Sequence, residues 1–372
     1  MKIIVLGATG MMGRRAAEAF ARSPEVSRLT LTGRNLAKVQ ALAEELGGPT
    51  QAVEVDARDH HKLVESIQGH DIAAGSIGPF YLYEAPIAKA AIEAGAHYVS
   101  ICDDHDATLD VFELDDAAKK HGVTVLTGAG WTPGLTNLMA KKGAGLLDEA
   151  KEVHVSWAGS YADSDGYAVQ LHLLHILTGH VPTFKHGALT KIRAGTEPKT
   201  VHFPAPIGPV QVRHTGHPEP LTIPRYIPGL EHVTLKGGLA DGILNMLTIL
   251  LTRLGLTRTQ KGRERLLRLV SPTLPLIDRI GPRSRPLSGT HVEVRGQKNG
   301  KPARVVLTSV DRMMNLTALP QVVAALMLGR GEIRQPGVMS LEAPGGPDPD
   351  LFFTSLAALG VKVEVEVNVE RA

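Results

Sequence analysis

Along its first third the chain alternates two apolar rhythms. Short runs such as Ile3-Ile4-Val5-Leu6 give way to stretches with apolar residues at i, i+3 and i+4, and glycines punctuate the junctions. The pattern predicts strand 2–6, helix 11–21, strand 28–32, helix 36–46, strand 51–55, helix 59–67 and strand 71–75. Helix 84–94, strand 97–101, helix 106–121 and strand 123–126 continue it. Strands that alternate with helices across short loops pair in parallel. The expected fold class is therefore α/β, a doubly wound parallel sheet with helices on both faces. From Lys151 the pattern changes. Strands are expected at 152–157 and 232–236, a helix at 167–177, and short strands and turns over 181–228. The runs 291–296 and 303–310 flank Asn299-Gly300, a hairpin signal, with helices expected at 241–254 and 262–270. This reads as a second α+β domain, a mixed sheet with helices on one face, suited to a dimer interface.

Ligands of parallel α/β sheets bind beyond the carboxyl ends of the strands, so the residues there carry the chemistry. After the first strand comes Gly7-Ala8-Thr9-Gly10-Met11-Met12-Gly13. Its glycines permit a tight turn and close backbone approach, and the following helix offers free N–H groups to a pyrophosphate. The second strand ends at Thr32-Gly33-Arg34, where an NAD site usually keeps an acid for the ribose 2′-hydroxyl. Gly33 leaves room for a 2′-phosphate and Arg34 can pair with it, which favours NADP(H) over NAD(H). Asp56, ending the third strand, either accepts from the adenine amino group or caps the next helix. Ser76, Gly78 and Pro79 form a turn that would lie along the nicotinamide half. Asp103 and His105 follow the fifth strand, and Trp131 and Asn137 lie in the glycine- and proline-rich segment after the sixth. These four are candidate catalytic residues at the same edge.

Composition narrows the class. One cysteine in 372 residues, Cys102, excludes an internal disulfide framework and Cys-rich metal sites and suits a reducing, cytoplasmic compartment. As a nucleophile Cys102 is weak, because two following aspartates raise its pKa. The longest apolar run, 242–251, is about half of the ~20 residues a membrane-spanning helix needs, and no export signal is expected at Met1. The formal net charge of +2 is unevenly spread: 14 basic and 20 acidic residues in the first 150, 26 and 18 in the rest. Much of the positive excess lies between Arg253 and Arg304. No aromatic residue is interleaved there to stack bases, so no nucleic-acid partner is expected. A solvated face or subunit contact is the ordinary reading of such a run, and peripheral contact with anionic lipid is the alternative.

The motifs GATGMMG at 7–13, GPFYLYEAPIAKAAIEAGAHYVSI at 78–101 and GAGWTPGLTNLMA at 128–140 resemble those of the saccharopine dehydrogenase-like (saccharopine reductase-like) proteins. A weaker likeness covers 318–343. The resemblance implies a Rossmann NADP-binding domain over 1–150, a substrate and dimerisation domain over 151–310, and a C-terminal return to the first domain over 311–372. It assigns Gly7, Gly10 and Gly13 to the pyrophosphate, Arg34 to the ribose phosphate, and Gly78-Pro79 to the nicotinamide side. Saccharopine reductases usually carry Asp before the Pro-Gly pair, where this chain has Thr132. Saccharopine itself is therefore not the expected substrate.

In the second domain, His172 and His175 share a helix face at i, i+3. No third ligand at metal-binding spacing accompanies them, so no metal is expected. Each is a candidate proton donor, with Asp163, Asp165 and Tyr167 nearby in sequence, or an ordinary helix histidine. Arg312 is a candidate carboxylate clamp. None of the six tyrosines, Tyr81, Tyr83, Tyr98, Tyr161, Tyr167 and Tyr226, has Lys four residues on, which disfavours short-chain dehydrogenase chemistry. The expected protein is a homodimeric NADP(H)-dependent oxidoreductase acting on a small molecule with an imine, carbonyl or enoyl group. The alternative is a dinucleotide-binding scaffold or sensor at a lipid surface.

Overall fold

A computed structural model describes residues 1–160, 163, 166–240, 246, 250–252, 255–270 and 285–369. It divides into two units, Met1–Asn137 with Met314–Gly360, and Leu138–Met313 with Val361–Ala372. In chain order the elements are β1 (Lys2–Leu6), α1 (Met11–Ala21), β2 (Arg28–Gly33), α2 (Leu36–Leu46), β3 (Thr50–Glu54), α3 (His60–Ile67) and β4 (Ile72–Gly75). Then come α4 (Phe80–Glu93), β5 (His97–Ser100), α5 (His105–Phe112), α6 (Asp115–His121), β6 (Thr124–Leu126) and α7 (Leu135–Gly145). The second unit adds β7 (Glu149–Gly159), α8 (Tyr167–Ile176), β8 (His180–Lys185), β9 (Ala188–Arg193), β10 (Lys199–Phe203), β11 (Gly208–His214) and α9 (Glu219–Tyr226). After β12 (His232–Leu239) and helix Gln260–Val270 follow β13 (Ser288–Lys298), β14 (Lys301–Asp311) and helix Met313–Gly329. The chain closes with β15 (Gly337–Met339), helix Pro349–Ala358 and β16 (Glu364–Val369).

The first unit holds a seven-stranded parallel sheet in the order β15-β6-β5-β4-β1-β2-β3. Its central strands are buried without alternation, as cover on both faces requires, with Ile3 to Leu6 of β1 and Ile72 to Gly75 of β4 buried, while edge strand β3 is partly exposed. One face packs Ile4, Leu6, Ala73, Tyr98, Val125 and Val338 against Leu63, Ile87, Ala91 and Val111 of the covering helices. The strand order reverses between β1 and β4, which opens a crevice at their carboxyl ends. Two local expectations shift. Helix α4 starts at Phe80 rather than Glu84, because the Asp104 carboxylate accepts from Tyr81 N at 3.0 Å and caps it from a distant strand end. The helix expected over 106–121 is two, α5 and α6, separated by Glu113-Leu114.

The second unit is built on a mixed sheet, with β12 parallel to β7 and β13 and β14 antiparallel beside it. The β13–β14 hairpin turns on Asn299 (φ 52°) and Gly300 (φ 70°), the left-handed pair a two-residue turn demands. Leu171 and Leu174 of α8 pack on Leu266 and Leu267. Helix α9 falls in a stretch expected to hold only strands and turns; Pro220 in its first turn suits a helix, but Pro224 stands inside it, and the two prolines read as loop in the sequence. Most of the helix expected at 241–254 and of the apolar run 242–251 lies outside the described residues, as do Arg253, Arg279 and Arg283. Among the described residues the basic run is not one patch. Arg263 is buried and donates to Thr257 O, while Arg295 and Arg304 pair with Glu293. No helix of the described residues is long and apolar enough to cross a membrane.

In β12, Gly237 lies under the Trp157 indole of β7, so a Cβ there would overlap the ring. Gly237→Ala is expected to destabilise the protein by about 1–3 kcal/mol through overpacking. Urea denaturation followed by tryptophan fluorescence measures this, and an unshifted midpoint would show that the indole gives way freely.

Candidate functional site

The crevice between β1 and β4 is shaped by backbone contact. Gly7 adopts φ +87°, and a Cβ on it would stand 2.9 Å from Ile77 Cγ1 and 3.1 Å from Ser76 O, so the turns after β1 and β4 touch. A Cβ on Gly13 would strike the Gly7 carbonyl. Gly10 is the N-cap of α1 and no side chain caps that helix, whose first turn holds no acid. Its leading N–H groups, with Thr9 and Gly10 exposed beside them, form a cradle for an anion. These residues fit a dinucleotide's pyrophosphate. Met11 is half-buried, and Met12 packs on the cluster of Phe80, Ile101, Cys102 and Ala107. Ser76, Gly78 and Pro79 are half-buried in the turn leading into α4, and the Gly78–Pro79 peptide is cis.

At the end of β2, Ala8 N donates to Thr32 O at 2.9 Å, which holds the glycine loop against this strand. A side chain at Gly33 would press on Val39 Cγ2 at 3.0 Å and Thr9 Oγ1 at 3.2 Å, so packing also demands glycine here. Arg34 is exposed, and no carboxylate stands at the strand's end. Asp56 does not cap α3. That role belongs to Asp59, which accepts from Lys62 N, while both oxygens of Asp56 bind Arg58. The Arg58 hydrogen bonds, helped by its charge and that of Arg34, hold the Asp56 carboxyl down at about 2.

Beyond β5, Asp103 and His105 are half-buried and Asp104 is fully buried at the head of α5. Beneath them lies an acid with no place in the expected site. Glu84 of α4 is 1% exposed; Tyr98 Oη donates to it at 3.0 Å and Ser100 Oγ donates to its other oxygen. Burial raises its pKa from the ordinary 4.5 to about 7 against the pull of the two hydroxyls, and Asp103 and Asp104 push the same way. Cys102 is buried beside them, and burial, then Glu84 and the aspartates, hold its thiol well above the usual range. It is not a thiolate nucleophile.

After β6 the chain folds on itself through Gly130 N to Pro133 O (3.1 Å) and Leu135 N to Gly130 O (2.9 Å), with a cis Thr132–Pro133 bond. Trp131 is buried in this turn. Asn137, fully buried, accepts from Gly134 N at 3.1 Å and donates through Nδ2 to Glu342 Oε1 at 2.7 Å. Its amide ties the turn to a segment two hundred residues away. His172 and His175 stand on α8 of the second unit, where the His172 ring packs edge-on to His217 at 5.2 Å and His217 lies 5.9 Å from Trp157. Arg312 is committed to Asp163 at 3.3 Å, which Ser288 and Met313 N also bind, so it is no free clamp. Asp165 and Tyr161 lie outside the described residues.

Glu84, Glu342 and Gln321, all buried at this edge of the first unit, escaped the sequence reading. Glu84 had a signal: with Phe80, Ile87, Ala88 and Ala91 it shares the buried face of α4, the wrong place for a solvated acid. Gln321 and Glu342 had none, since their partners are remote in sequence.

The sequence matches known proteins in three ways. Residues 3–126 match the family described as the saccharopine dehydrogenase NADP binding domain. Carboxynorspermidine synthase of Vibrio cholerae is 24% identical over 98% of this chain and 97% of its own. A saccharopine dehydrogenase-like oxidoreductase of Mus musculus is 28% identical over 35% of this chain and 34% of its own. Among solved structures, saccharopine dehydrogenase (L-Glu forming) from Saccharomyces cerevisiae superposes with TM-score 0.71 over 99% of both chains at 17% identity, a likeness of fold.

Glu84 gives stability a pH dependence whose sign is opposite to that of a salt-bridged acid. The native state keeps a proton that the unfolded chain releases near 4.5, so stability falls as pH rises from about 4.5 to about 7 and is level above. Glu84→Gln removes this slope, and the variant should gain on the order of 3 kcal/mol relative to wild type between pH 4 and pH 8. Urea denaturation at both pH values measures it; parallel profiles would show that Glu84 ionises like a surface acid.

Proposed function

We propose that this chain, whose residues 3–126 match the saccharopine dehydrogenase NADP binding domain, is an NADP(H)-dependent oxidoreductase of that kind and that its substrate is a small molecule with an imine, carbonyl or enoyl group. The imine comes first, because the relative matched over nearly its whole length is named for a carboxylated amine. One observation carries the cofactor side. A glycine loop sits before an uncapped helix, next to a β2 end that offers Arg34 and no carboxylate. Gly7, Gly10 and Gly13, with the backbone of Thr9, Met11 and Met12, would hold the pyrophosphate. Arg34, over the short Gly33, would pair with the 2′-phosphate. Asp56, kept ionised by Arg58, borders the adenine side. Ser76, Gly78 and Pro79 would line the nicotinamide half.

The bound nicotinamide supplies or accepts the hydride. A proton must move with it, and Asp103 and His105 are half-buried titratable side chains of the first unit at that edge. Trp131 walls the edge against water, and Asn137 positions Glu342 through its amide. His172 and His175 stay candidates of the second unit, beside His217. A homodimer through the second unit and a cytoplasmic location belong to the same reading, the latter supported by the single cysteine.

Calorimetric titration is expected to show tighter binding of NADPH than of NADH, and Arg34→Ala should weaken NADPH about tenfold or more while leaving NADH nearly unchanged. Equal wild-type affinity for both would overturn the cofactor assignment. NADPH consumption with mixtures of an amine and a carbonyl compound supports the imine; consumption with enoyl compounds alone moves the substrate to that class.

A further inference from the structure

Helix Met313–Gly329 reaches the sheet edge with one polar side chain fully buried, Gln321. Its Nε2 stands 2.9 Å from Gly75 O, the last residue of β4, and 2.9 Å from Val99 O in β5. Backbone carbonyls only accept, so both amide hydrogens must point at them, and the identity of the two amide atoms follows from the network. The oxygen Oε1 then faces Ser76 Oγ at 3.3 Å. An amide oxygen cannot donate, so the Ser76 hydroxyl must. The proton of Ser76 is thereby committed to Gln321, and its lone pairs are left for whatever enters the crevice. Ser76 is half-buried, its N donates to Leu6 O at 3.0 Å, and a Cβ on Gly7 would stand 3.1 Å from its carbonyl oxygen. It sits at the switch point itself.

We infer that Gln321 is a positioning residue that turns Ser76 into an obligate hydrogen-bond acceptor toward the nicotinamide half of the dinucleotide. The inference rests on the cofactor reading above and adds to it the polarity of one contact and the residue that sets it. The group recognised is a donor, a hydroxyl of the nicotinamide ribose or the carboxamide NH2, both on the half of the cofactor remote from Arg34. A second consequence is rigidity: the same amide ties the carboxyl ends of β4 and β5 together, so Ser76 meets its ligand from a fixed position.

The test separates the two halves of the cofactor by calorimetric titration with NADPH and with adenosine 2′,5′-bisphosphate, which carries the adenine, ribose and 2′-phosphate alone. Gln321→Met, which keeps the side-chain length but removes the amide oxygen that fixes the Ser76 hydroxyl, should weaken NADPH about three- to tenfold and leave the bisphosphate within about twofold. Ser76→Ala, a small change that spares the core, should weaken NADPH about three- to tenfold with the bisphosphate again unchanged. In the double variant the two losses should fall short of their product, because both remove one contact. If Gln321→Met does not fold, Ser76→Ala decides alone. Wild-type affinity for NADPH in Ser76→Ala, or an equal loss of both ligands, overturns the inference. A wild-type protein that binds neither ligand overturns the cofactor reading instead.

Discussion

Seven short parallel strands end at a single edge, and the backbone groups there must be paired although no strand continues to pair them. Most of what surrounds the candidate site answers that constraint. Ala8 N closes on Thr32 O, Ser76 N on Leu6 O, Ile101 N on Gly75 O and Thr127 N on Met339 O, so each loop is pinned to a neighbouring strand as it leaves the sheet. Where local loops do not reach, the chain sends residues from far away. Gln321 satisfies Gly75 and Val99, Asp104 caps α4, and β15 completes the sheet beside β6. The crevice at the β1–β4 reversal is what remains open once these pairings are made, and glycines line it because backbones approach closely there.

The same edge is electrically graded. Near the end of β3 the Asp56 carboxyl is held ionised by guanidinium groups at the surface. Under β5, burial does the opposite to Glu84 and keeps its proton into the neutral range, with Asp103 and Asp104 adding to the effect. Two carboxyls of similar intrinsic acidity thus differ by what surrounds them, one by hydrogen-bonded cations and one by lost solvent. A thiol in the second environment is silent, which is why Cys102 packs and does not attack. The helix N-terminus at Gly10, free of acids, completes a site that is receptive to anions on the glycine side.

Much of the scaffold was legible from local pattern. The strand and helix succession through β6, the glycine loop and the Asn299-Gly300 hairpin depend on neighbours within a few residues, and periodicity and turn chemistry act at that range. The start of α4 differs because its cap comes from Asp104, and α9 is hidden because Pro220 suits a loop as well as a first turn and Pro224 stands inside the helix. The basic run looked continuous in sequence, yet among its described arginines Arg263 is buried in a helix, Arg268 pairs with Glu264, and Arg295 and Arg304 share a sheet carboxylate. Asp56 had two readings that sequence could not separate, and Arg58, two residues on, took both its oxygens.

By itself the sequence determined the parallel α/β scaffold and placed the glycines and Arg34 at one end of its crevice, because these rest on backbone geometry and on residue identity at fixed offsets from a strand end. Only the tertiary structure decided which buried polar groups meet. Glu84 finds Tyr98 and Ser100 across a helix–sheet contact, Asn137 finds Glu342, and Gln321 finds Ser76 across 245 residues. Those pairings set a protonation state and the donor or acceptor sense of a hydroxyl. They follow from packing elements that no local pattern brings together.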